Sequence, residues 1–382
     1  MLIFSIIFAI LIIVRAIIPA PMTLKSKIIL SAIACLISLK FFISHLITGR
    51  MFYEPAIPKF FIIFGTWLFG IVFIFFFLII FKDLCFLLVL LINSMTKKYQ
   101  SIQLKSFFNI FTLVLLGLSI IAATFGLISG LAVPSVKEQN ITIQKLPSSL
   151  NNFTIAVLTD LHIDRLTDKS KIEKIVKKTN NLQPNIIVIL GDVADGSTTE
   201  LAELLAPLQN LKAKNGVYGV VGNHEYYSGY EDYQKLFKQF GVKMLNNKFI
   251  PLMNNQIALI GITDRAALQS RFKSKLPAPN LSKAAKGSEL YPIKILLAHR
   301  PAIASDAKKF NIDLQLSGHT HGGSILLFDS IVAMSNGSFS SGLYKLPNSK
   351  TQLYVSNGSG IWSGFPFRIG RASEITLIRL KR

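Results

Sequence analysis

Cysteine is nearly absent from this chain: two residues in 382, Cys35 and Cys85, both inside apolar segments. Beyond residue 85 there is no disulfide, thiolate ligand or thiolate nucleophile, while the redox compartment stays open. Acidic side chains are scarce too, 20 against 41 Lys and Arg, for a formal net charge of +21. No stretch interleaves basic and aromatic residues as a nucleic-acid reader does, so nucleic acid is not an expected partner. Internal repeats are missing, and no basic segment precedes the first apolar run. Neither a repeat architecture nor a cleaved signal peptide is therefore expected. Histidine occurs only six times.

What the sequence has in excess is long apolar runs. "MLIFSIIFAILIIVRAIIPA" (1–20), "KIILSAIACLISLKFFISHLIT" (27–48), "FFIIFGTWLFGIVFIFFFLII" (60–80) and "FFNIFTLVLLGLSIIAATFGLISGLAV" (107–133) each reach the roughly 18–20 residues that span a bilayer core. They predict four transmembrane helices and a membrane anchor region over residues 1–133. "FKDLCFLLVLLINSM" follows the third run too closely to be another span. It predicts an extension or an interfacial helix, with Lys82 and Asp83 at headgroup depth. Within the spans the ionisable residues are Arg15, Lys40 and His45, fewer than a transport pathway usually shows. Lys40 can snorkel, and His45 reads as a helix-end residue. With the N-terminus outside, inner loops carry Lys25, Lys27, Lys97, Lys98 and Lys105, with Lys82 close by; the outer side carries Arg50, Lys59, Lys137 and Lys145. This modest bias leans the rest of the chain to the extracytoplasmic side.

Residues 134–150 read as a linker, and 151–382 as a globular domain large enough to bury a sizeable core. From residue 134 onward 31 Lys and Arg face 18 Asp and Glu, which suits a solvated surface drawn to anionic headgroups or a rim that steers an anionic substrate. "FTIAVLT" (153–159), "NIIVIL" (185–190), "VYGVV" (217–221), "IALIGI" (257–262), "IKILLA" (293–298) and "DLQLS" (313–317) predict buried strands. "SKIEKIVKKTNNL" predicts a helix opened by a capping box of Ser170 and Glu173. The βαβ rhythm breaks at 265–291, where Arg265, Arg271, Lys273, Lys275, Lys283 and Lys286 meet Glu289 alone. That segment reads as a solvated loop, a lid, or a contact with headgroups.

Each predicted strand but one runs into polar residues at its carboxyl end. Asp160 and His162 follow the first, Gly191-Asp192 the second, Gly222-Asn223-His224-Glu225 the third, His299 the fifth, and Gly318-His319-Thr320-His321 the sixth. Ligands of open α/β sheets bind beyond strand carboxyl ends, so these residues converge. Five of the six histidines are among them, and buried charge at such places is costly unless paired or bound to metal. In a regular strand His319 and His321 would point to opposite faces; the flanking glycines free the backbone to turn, so both imidazoles serve two adjacent ions. Imidazole, carboxylate and amide donors suit manganese first, with iron or zinc as alternatives. The supply, one side chain short of eight, fits two ions sharing a carboxylate.

In this order, Asp160-x-His162, Gly191-Asp192, Gly222-Asn223-His224-Glu225, His299 and Gly318-His319-Thr320-His321 resemble the calcineurin-like metallophosphoesterase superfamily. "GVYGVVGNHEYYSG" and "YVSNGSGIWSGFPFRIGRASEITLIRL" look like its bacterial membrane-associated branch of YkuE-like and YaeI-like enzymes. The resemblance covers about 151 to the end of the chain. It implies a four-layer α/β/β/α sandwich, which with the α-helical transmembrane region read from the apolar runs makes a multi-pass protein expected in a bacterial cytoplasmic membrane. It implies Asp160, His162 and His321 on a first metal, Asn223, His299 and His319 on a second, and Asp192 between them. His224 would act on substrate, as acid or transition-state stabiliser, rather than bind metal. Glu225 and Ser324 depart from the Asp and Gln common in that branch, which bears on substrate choice. Asp195 reads as a ligand-orienting or turn residue, Asp164 as a turn residue, and Arg300 as a phosphate contact or an ordinary ion pair.

The expected activity is hydrolysis of a phosphate ester or pyrophosphate, presented at the lipid bilayer and itself possibly a lipid, by hydroxide that two divalent cations generate from a shared water. The other readings are a metal-binding scaffold without catalysis and a transporter with an accessory domain. Oligomeric state is not legible.

Overall fold

The computed structural model describes residues 2–49, 54–96, 101–272 and 275–382. It divides into two compact units, Met1–Ile128 and Ser129–Arg382.

The first unit is helical. Helix α1 (Leu2–Ile12) continues into a π turn at Ile13–Ile17; α2 (Leu24–Ser38), α3 (Lys40–Thr48), α4 (Lys59–Thr96) and α5 (Ser101–Leu131) follow, with the end of α5 falling in the second unit. Lys59–Thr96 and Ser106–Leu131 are long and apolar enough to cross a membrane. Helices α2 and α3 reach that length only together and are bent by 52°, and Leu2–Ile17 is shorter. Helix α4 runs unbroken through Lys82 and Asp83, so the apolar stretch after the third run is an extension of that helix. Charge inside these helices is paired, as burial demands. Arg15 Nε and Nη2 donate to Asp83 at 2.7 and 3.0 Å, and Lys82 Nζ donates to the Arg15 carbonyl at 3.1 Å. Lys40 does not snorkel: its Nζ turns inward to Glu54 Oε1 at 2.7 Å and Thr66 Oγ1 at 2.8 Å. Of the residues used to orient the chain, Arg50, Lys97 and Lys98 and the side chain of Lys105 lie outside the described set.

The second unit holds twelve strands: β1 (Ser135–Thr142), β2 (Thr154–Leu158), β3 (Ile186–Ile189), β4 (Val217–Gly219), β5 (Val242–Met244), β6 (Lys248–Leu252), β7 (Ile257–Gly261), β8 (Ile293–Leu297), β9 (Leu314–Ser317), β10 (Gly342–Lys345), β11 (Gln352–Val355) and β12 (Glu374–Lys381). They form two six-stranded sheets, ordered β1-β12-β2-β3-β4-β5 and β10-β11-β9-β8-β7-β6. The six strands expected from apolar runs are all present. They are legible because both faces are buried: with a side-chain period of two, Ile155 and Val157 enter the core between the sheets while Ala156 and Leu158 pack outward. Ile172, Ile175 and Val176 of helix Lys169–Asn181 cover that outer face, and Leu281 and Ala284 cover the other sheet. Helix, sheet, sheet and helix make four layers, the α/β/β/α sandwich.

Three local details differ from the sequence reading. Asp168, in extended conformation, is the N-cap of Lys169–Asn181, which leaves Ser170 inside the helix rather than at its cap. Residues 134–150 contain β1, paired in parallel along its whole length with β12. The basic segment 265–291 is partly ordered: turns at Arg265–Leu268 and Ser270–Phe272 and a helix at Leu281–Ala285, capped by Asp264 and Asn280. Lys273 lies outside the described residues.

Strands β2, β3 and β4 run parallel to one another, as do β7, β8 and β9. Their carboxyl ends therefore open at one edge of the sandwich.

Candidate metal centre

Every site residue expected from the sequence comes to that edge. Asp160 and His162 follow β2, Asp192 follows β3, Asn223 and His224 open the short helix after β4, His299 follows β8, and His319 and His321 follow β9. Asp160, His162, Asp192, Asn223 and His299 are buried, while His224, His319 and His321 keep partial exposure. Asp160, His162, Asp192, His319 and His321 all have φ between 43° and 71°. Left-handed backbone costs of order 1–3 kcal/mol at a non-glycine residue, and such strain clusters at functional sites.

The donors fall into two sets. One ligand atom from each of Asp160, His162 and His321 lies within 4.8 Å of the others, and the same holds for Asp192, His299 and His319. In the first set, His162 Nε2 is 3.1 Å from His321 Nε2 and 4.0 Å from Asp160 Oδ1. In the second, His299 Nε2 is 3.2 Å from each of Asp192 Oδ2, His319 Nδ1 and Asn223 Oδ1. Asp192 Oδ2 also lies 3.7 Å from His162 Nε2, so this carboxylate faces both sets.

The outer nitrogens are held in ways that decide which nitrogen faces inward. His162 Nδ1 donates to Asp195 Oδ1 at 2.7 Å, and His299 Nδ1 donates to the Leu190 carbonyl at 2.8 Å. Both oxygens only accept, so Nδ1 carries the proton of each neutral ring and Nε2, facing the site, is the nitrogen that binds a cation once it is deprotonated. Arginines stand behind the other two rings: Arg300 Nη1 is 2.6 Å from His319 Nε2, and Arg368 Nη2 is 3.1 Å from His321 Nδ1. Nitrogen and oxygen donors of this mix, with the outer nitrogens of His162 and His299 already bonded to acceptors, fit two divalent cations of the manganese, iron and zinc group.

His224 occupies the third corner. Its Nδ1 shares Asp195 Oδ1 with His162, again at 2.7 Å, and its Nε2 points inward, 3.9 Å from Asp192 Oδ2. One ligand atom from each of His162, Asp192 and His224 likewise lies within 4.8 Å of the others. Position alone therefore does not bar His224 from an ion.

Charge follows from these contacts. Burial pushes Asp160 up, while for Asp192 burial is outweighed by His299 and His224, which hold it well below the usual carboxylate range. Asp195 is lowered as well, burial being overcome by His162 and His224. Burial works against the charged forms of His224 and His299, yet Asp195 and Asp192 raise the first to about 9, and Asp192 and Asp160 raise the second to about 10. His319 and His321 are depressed, by burial first and then by His299 and His162 respectively.

Glycines allow this density, though not all by flexibility. Gly322 and Gly323 take φ of 60° and 79° in the turn after His321, as the sequence led one to expect. Gly318 is there for space: a Cβ would stand 2.2 Å from Asp160 Oδ2 and Thr159 Oγ1.

The remaining residues now have places. Asp195 orients two imidazoles. Asp164 accepts from the Leu166 amide at 2.9 Å and the Thr167 hydroxyl at 3.1 Å, a turn residue. Glu225, fully buried, accepts from the Gly222, Asp192 and Val193 amides at 2.7, 3.0 and 2.7 Å and ties the β3 and β4 ends together. Ser324, at φ 61°, continues the His321 turn. Arg300 forms an ion pair with Asp264 (Nε–Oδ2 2.9 Å) and also reaches Asn223 Oδ1 at 2.9 Å. Arg368 was not anticipated; its one signal is an arginine within "FPFRIG". It is buried, with burial lowering its pKa to about 10, and donates to the His321 and Gly360 carbonyls at 2.6 and 2.8 Å. Tyr227 and Trp362, also unanticipated, flank His224 at ring distances of 5.4 and 6.5 Å.

A family model described as calcineurin-like phosphoesterase matches residues 153–323. A transmembrane protein with metallophosphoesterase domain from Danio rerio is 34% identical over 279 residues, 71% of this chain and 63% of that protein. An uncharacterized metallophosphoesterase of Campylobacter jejuni is 33% identical over 307 residues, covering 80% of this chain and 78% of its own length. The metallophosphoesterase YkuE of Bacillus subtilis is 26% identical over 261 residues, 64% of this chain and 84% of its length. The chain thus spans under two thirds of the zebrafish relative. The ordered motifs, the sandwich and these likenesses agree: the chain belongs to the calcineurin-like phosphoesterase family.

Proposed function

We propose that this chain is a membrane-anchored, two-metal phosphoesterase that hydrolyses a phosphate ester or pyrophosphate of a membrane-presented substrate. The observation that carries the reading is Asp192, one carboxylate oxygen facing two complete donor sets. Asp160, His162 and His321 would hold one cation, Asn223, His299 and His319 the other, with Asp192 common to both. When bound, such a pair supplies a water nucleophile near neutrality and neutralises phosphoryl oxygens during in-line attack.

The chain's own groups do the rest. Asp195 fixes the His224 ring through Nδ1, so that Nε2 is the atom that carries a proton to the leaving oxygen. In the metal-free fold Asp195 and Asp192 favour the protonated form of His224, the form a general acid uses. Arg300, anchored by Asp264 beside Asn223, brings a fixed positive charge to the second donor set. The basic surplus beyond residue 134 and the two helices able to cross a membrane support an anionic substrate held at a bilayer.

The test uses the full chain in detergent, with a chromogenic phosphodiester and a phosphomonoester, in manganese, zinc or no metal. Metal-dependent turnover that falls roughly 10²–10⁴-fold in His224→Ala fits loss of an acid–base group. A chain that binds two equivalents of metal yet turns over neither ester in any metal would leave two readings, a substrate restricted to lipid or a scaffold without catalysis, which lipid extracts offered as substrate separate.

A further inference from the structure

Among the described residues of the Ser129–Arg382 unit, eight large apolar side chains are exposed: Val136, Tyr227, Leu268, Leu290, Leu326, Leu327, Ile331 and Met334. Their distribution is uneven. Four lie in 326–334; of the others, Tyr227 stands beside His224 and Leu268 adjoins Gln269, which bonds Tyr227. Leu327, Ile331 and Met334 are 79%, 61% and 84% exposed, and Leu268 is 69% exposed. A cluster of this kind marks an interaction surface, whereas single exposed leucines do not.

Both groups are built onto the site. The helix Asp329–Met334 stands on the histidine turn: a Cβ on Gly323 would meet the Asp329 backbone at 2.5 Å, and the Ser324 amide donates to the His321 carbonyl at 3.0 Å. Arg371 pins the inner side of that helix through an ion pair with Asp329, which leaves Ile331 and Met334 facing out. On the other side, Gln269 Nε2, next to Leu268, donates to Tyr227 OH at 3.0 Å, and the Arg271 guanidinium lies 4.2 Å from the Tyr227 ring centre. Apolar tips with arginines set behind them therefore frame the mouth on two sides.

The path of the chain says what this rim faces. Strand β1 runs parallel to β12, and β12 antiparallel to β2, so β1 starts at the edge where β2 ends, which is the mouth. It starts at Ser135, shortly after the apolar helix ends at Leu131. Near that helix end a Cβ on Gly130 would meet Ile361 Cδ1 and the Pro366 carbonyl, on the loop that carries Trp362 beside His224. The chain thus enters this unit, between Gly130 and Ser135, at the edge where the site residues lie.

We propose that the rim formed by Leu268 and residues 326–334 docks on the surface of an anionic lipid bilayer, so that the metal site opens onto headgroups. Apolar tips enter the headgroup boundary while the basic surplus of the unit meets anionic lipid, the two contributions that hold interfacial segments. The proposal rests on the membrane attachment proposed above and extends it to the catalytic unit itself.

The test is site-directed spin labelling of the full chain in nanodiscs of phosphatidylglycerol and phosphatidylcholine, after Cys35→Ser and Cys85→Ser. Labels go at Leu327→Cys and Met334→Cys, with Asn151→Cys at the opposite sheet edge as the aqueous reference. Docking predicts that labels at 327 and 334 lose collision with a water-soluble nickel chelate and gain collision with oxygen, while 151 does not. A double variant, Leu327→Asp with Met334→Asp and the label at Ile331→Cys, should restore nickel collision without changing bound metal. Nickel collision at 327 and 334 equal to that at 151 would overturn the proposal. So would equal protection in detergent accompanied by dimer formation, because the occupant would then be a second copy. Metal-dependent hydrolysis of a soluble ester, read on the same samples, reports separately whether the phosphoesterase reading stands.

Discussion

Asp195 Oδ1 is the smallest unit of design in this site. One oxygen takes Nδ1 of both His162 and His224 at 2.7 Å, so a ligand and the proposed acid share an orienting partner. Asp195→Ala frees both rings, and removing such a partner costs about 10–100-fold in metal affinity. We expect the loss in metal affinity to be accompanied by a larger fall in kcat, since His224 loses its orientation too; metal titration and steady-state kinetics on one preparation separate the two. The sign of the pH dependence follows from His299. Its pKa in the metal-free fold is raised to about 10, so at pH 7 the ring carries a proton that coordination must expel. Metal affinity should therefore rise with pH up to about 10, with proton release visible by calorimetry in buffers of different ionisation enthalpy. A pH-independent affinity would place His299 outside the coordination shell. The residues that gather at this edge were readable in the sequence because each closely follows an apolar run. Arg368 and the contacts of Arg300 were not, because their partners lie 47 and 77 residues away along the chain.

At the scale of elements, the site depends on how closely β9 and β2 approach beyond their ends. Gly318 is the point of contact. Gly318→Ala must move either Thr159 or Asp160 from 2.2 Å, an overpacking of about 1–3 kcal/mol. We expect the variant to keep its secondary structure and lose the cation that Asp160, His162 and His321 would hold, measured as one equivalent rather than two by elemental analysis. Strand legibility followed the same logic of burial. β2, β3, β7, β8 and β9 are buried on both faces and stood out. β1 is an edge strand whose sequence, "SVKEQNIT", is mostly polar and exposed, and β5 is three residues long. Neither leaves a pattern that periodicity detects. The capping box failed for a related reason: Ser170 and Glu173 have the right spacing, but Asp168 already supplies the extended N-cap conformation.

For the whole molecule, the two units have separate cores, one formed by Ile12, Ala34, Val72, Phe75, Ile79 and Leu115, the others within Ser129–Arg382. Stripping the metal leaves Asp160 and Asp192 buried without cations, so destabilisation should fall on the second unit alone. Calorimetry of the full chain should show one transition that moves with chelator and one that does not. Free metal at 100 times its Kd should return about 2.7 kcal/mol to the first. A single transition shifting as a whole would contradict independent cores.

The sheet order β1-β12-β2 has a consequence for biosynthesis. Strand β12 inserts between two strands that leave the ribosome roughly 230 residues earlier, and at about 5–20 residues per second that gap lasts tens of seconds. Throughout it, β1 and one edge of β2 have no neighbour, held beside a membrane helix already made. The first sheet of this unit therefore stays open until β12 has emerged, and until then the strand edges at that seam are unpaired.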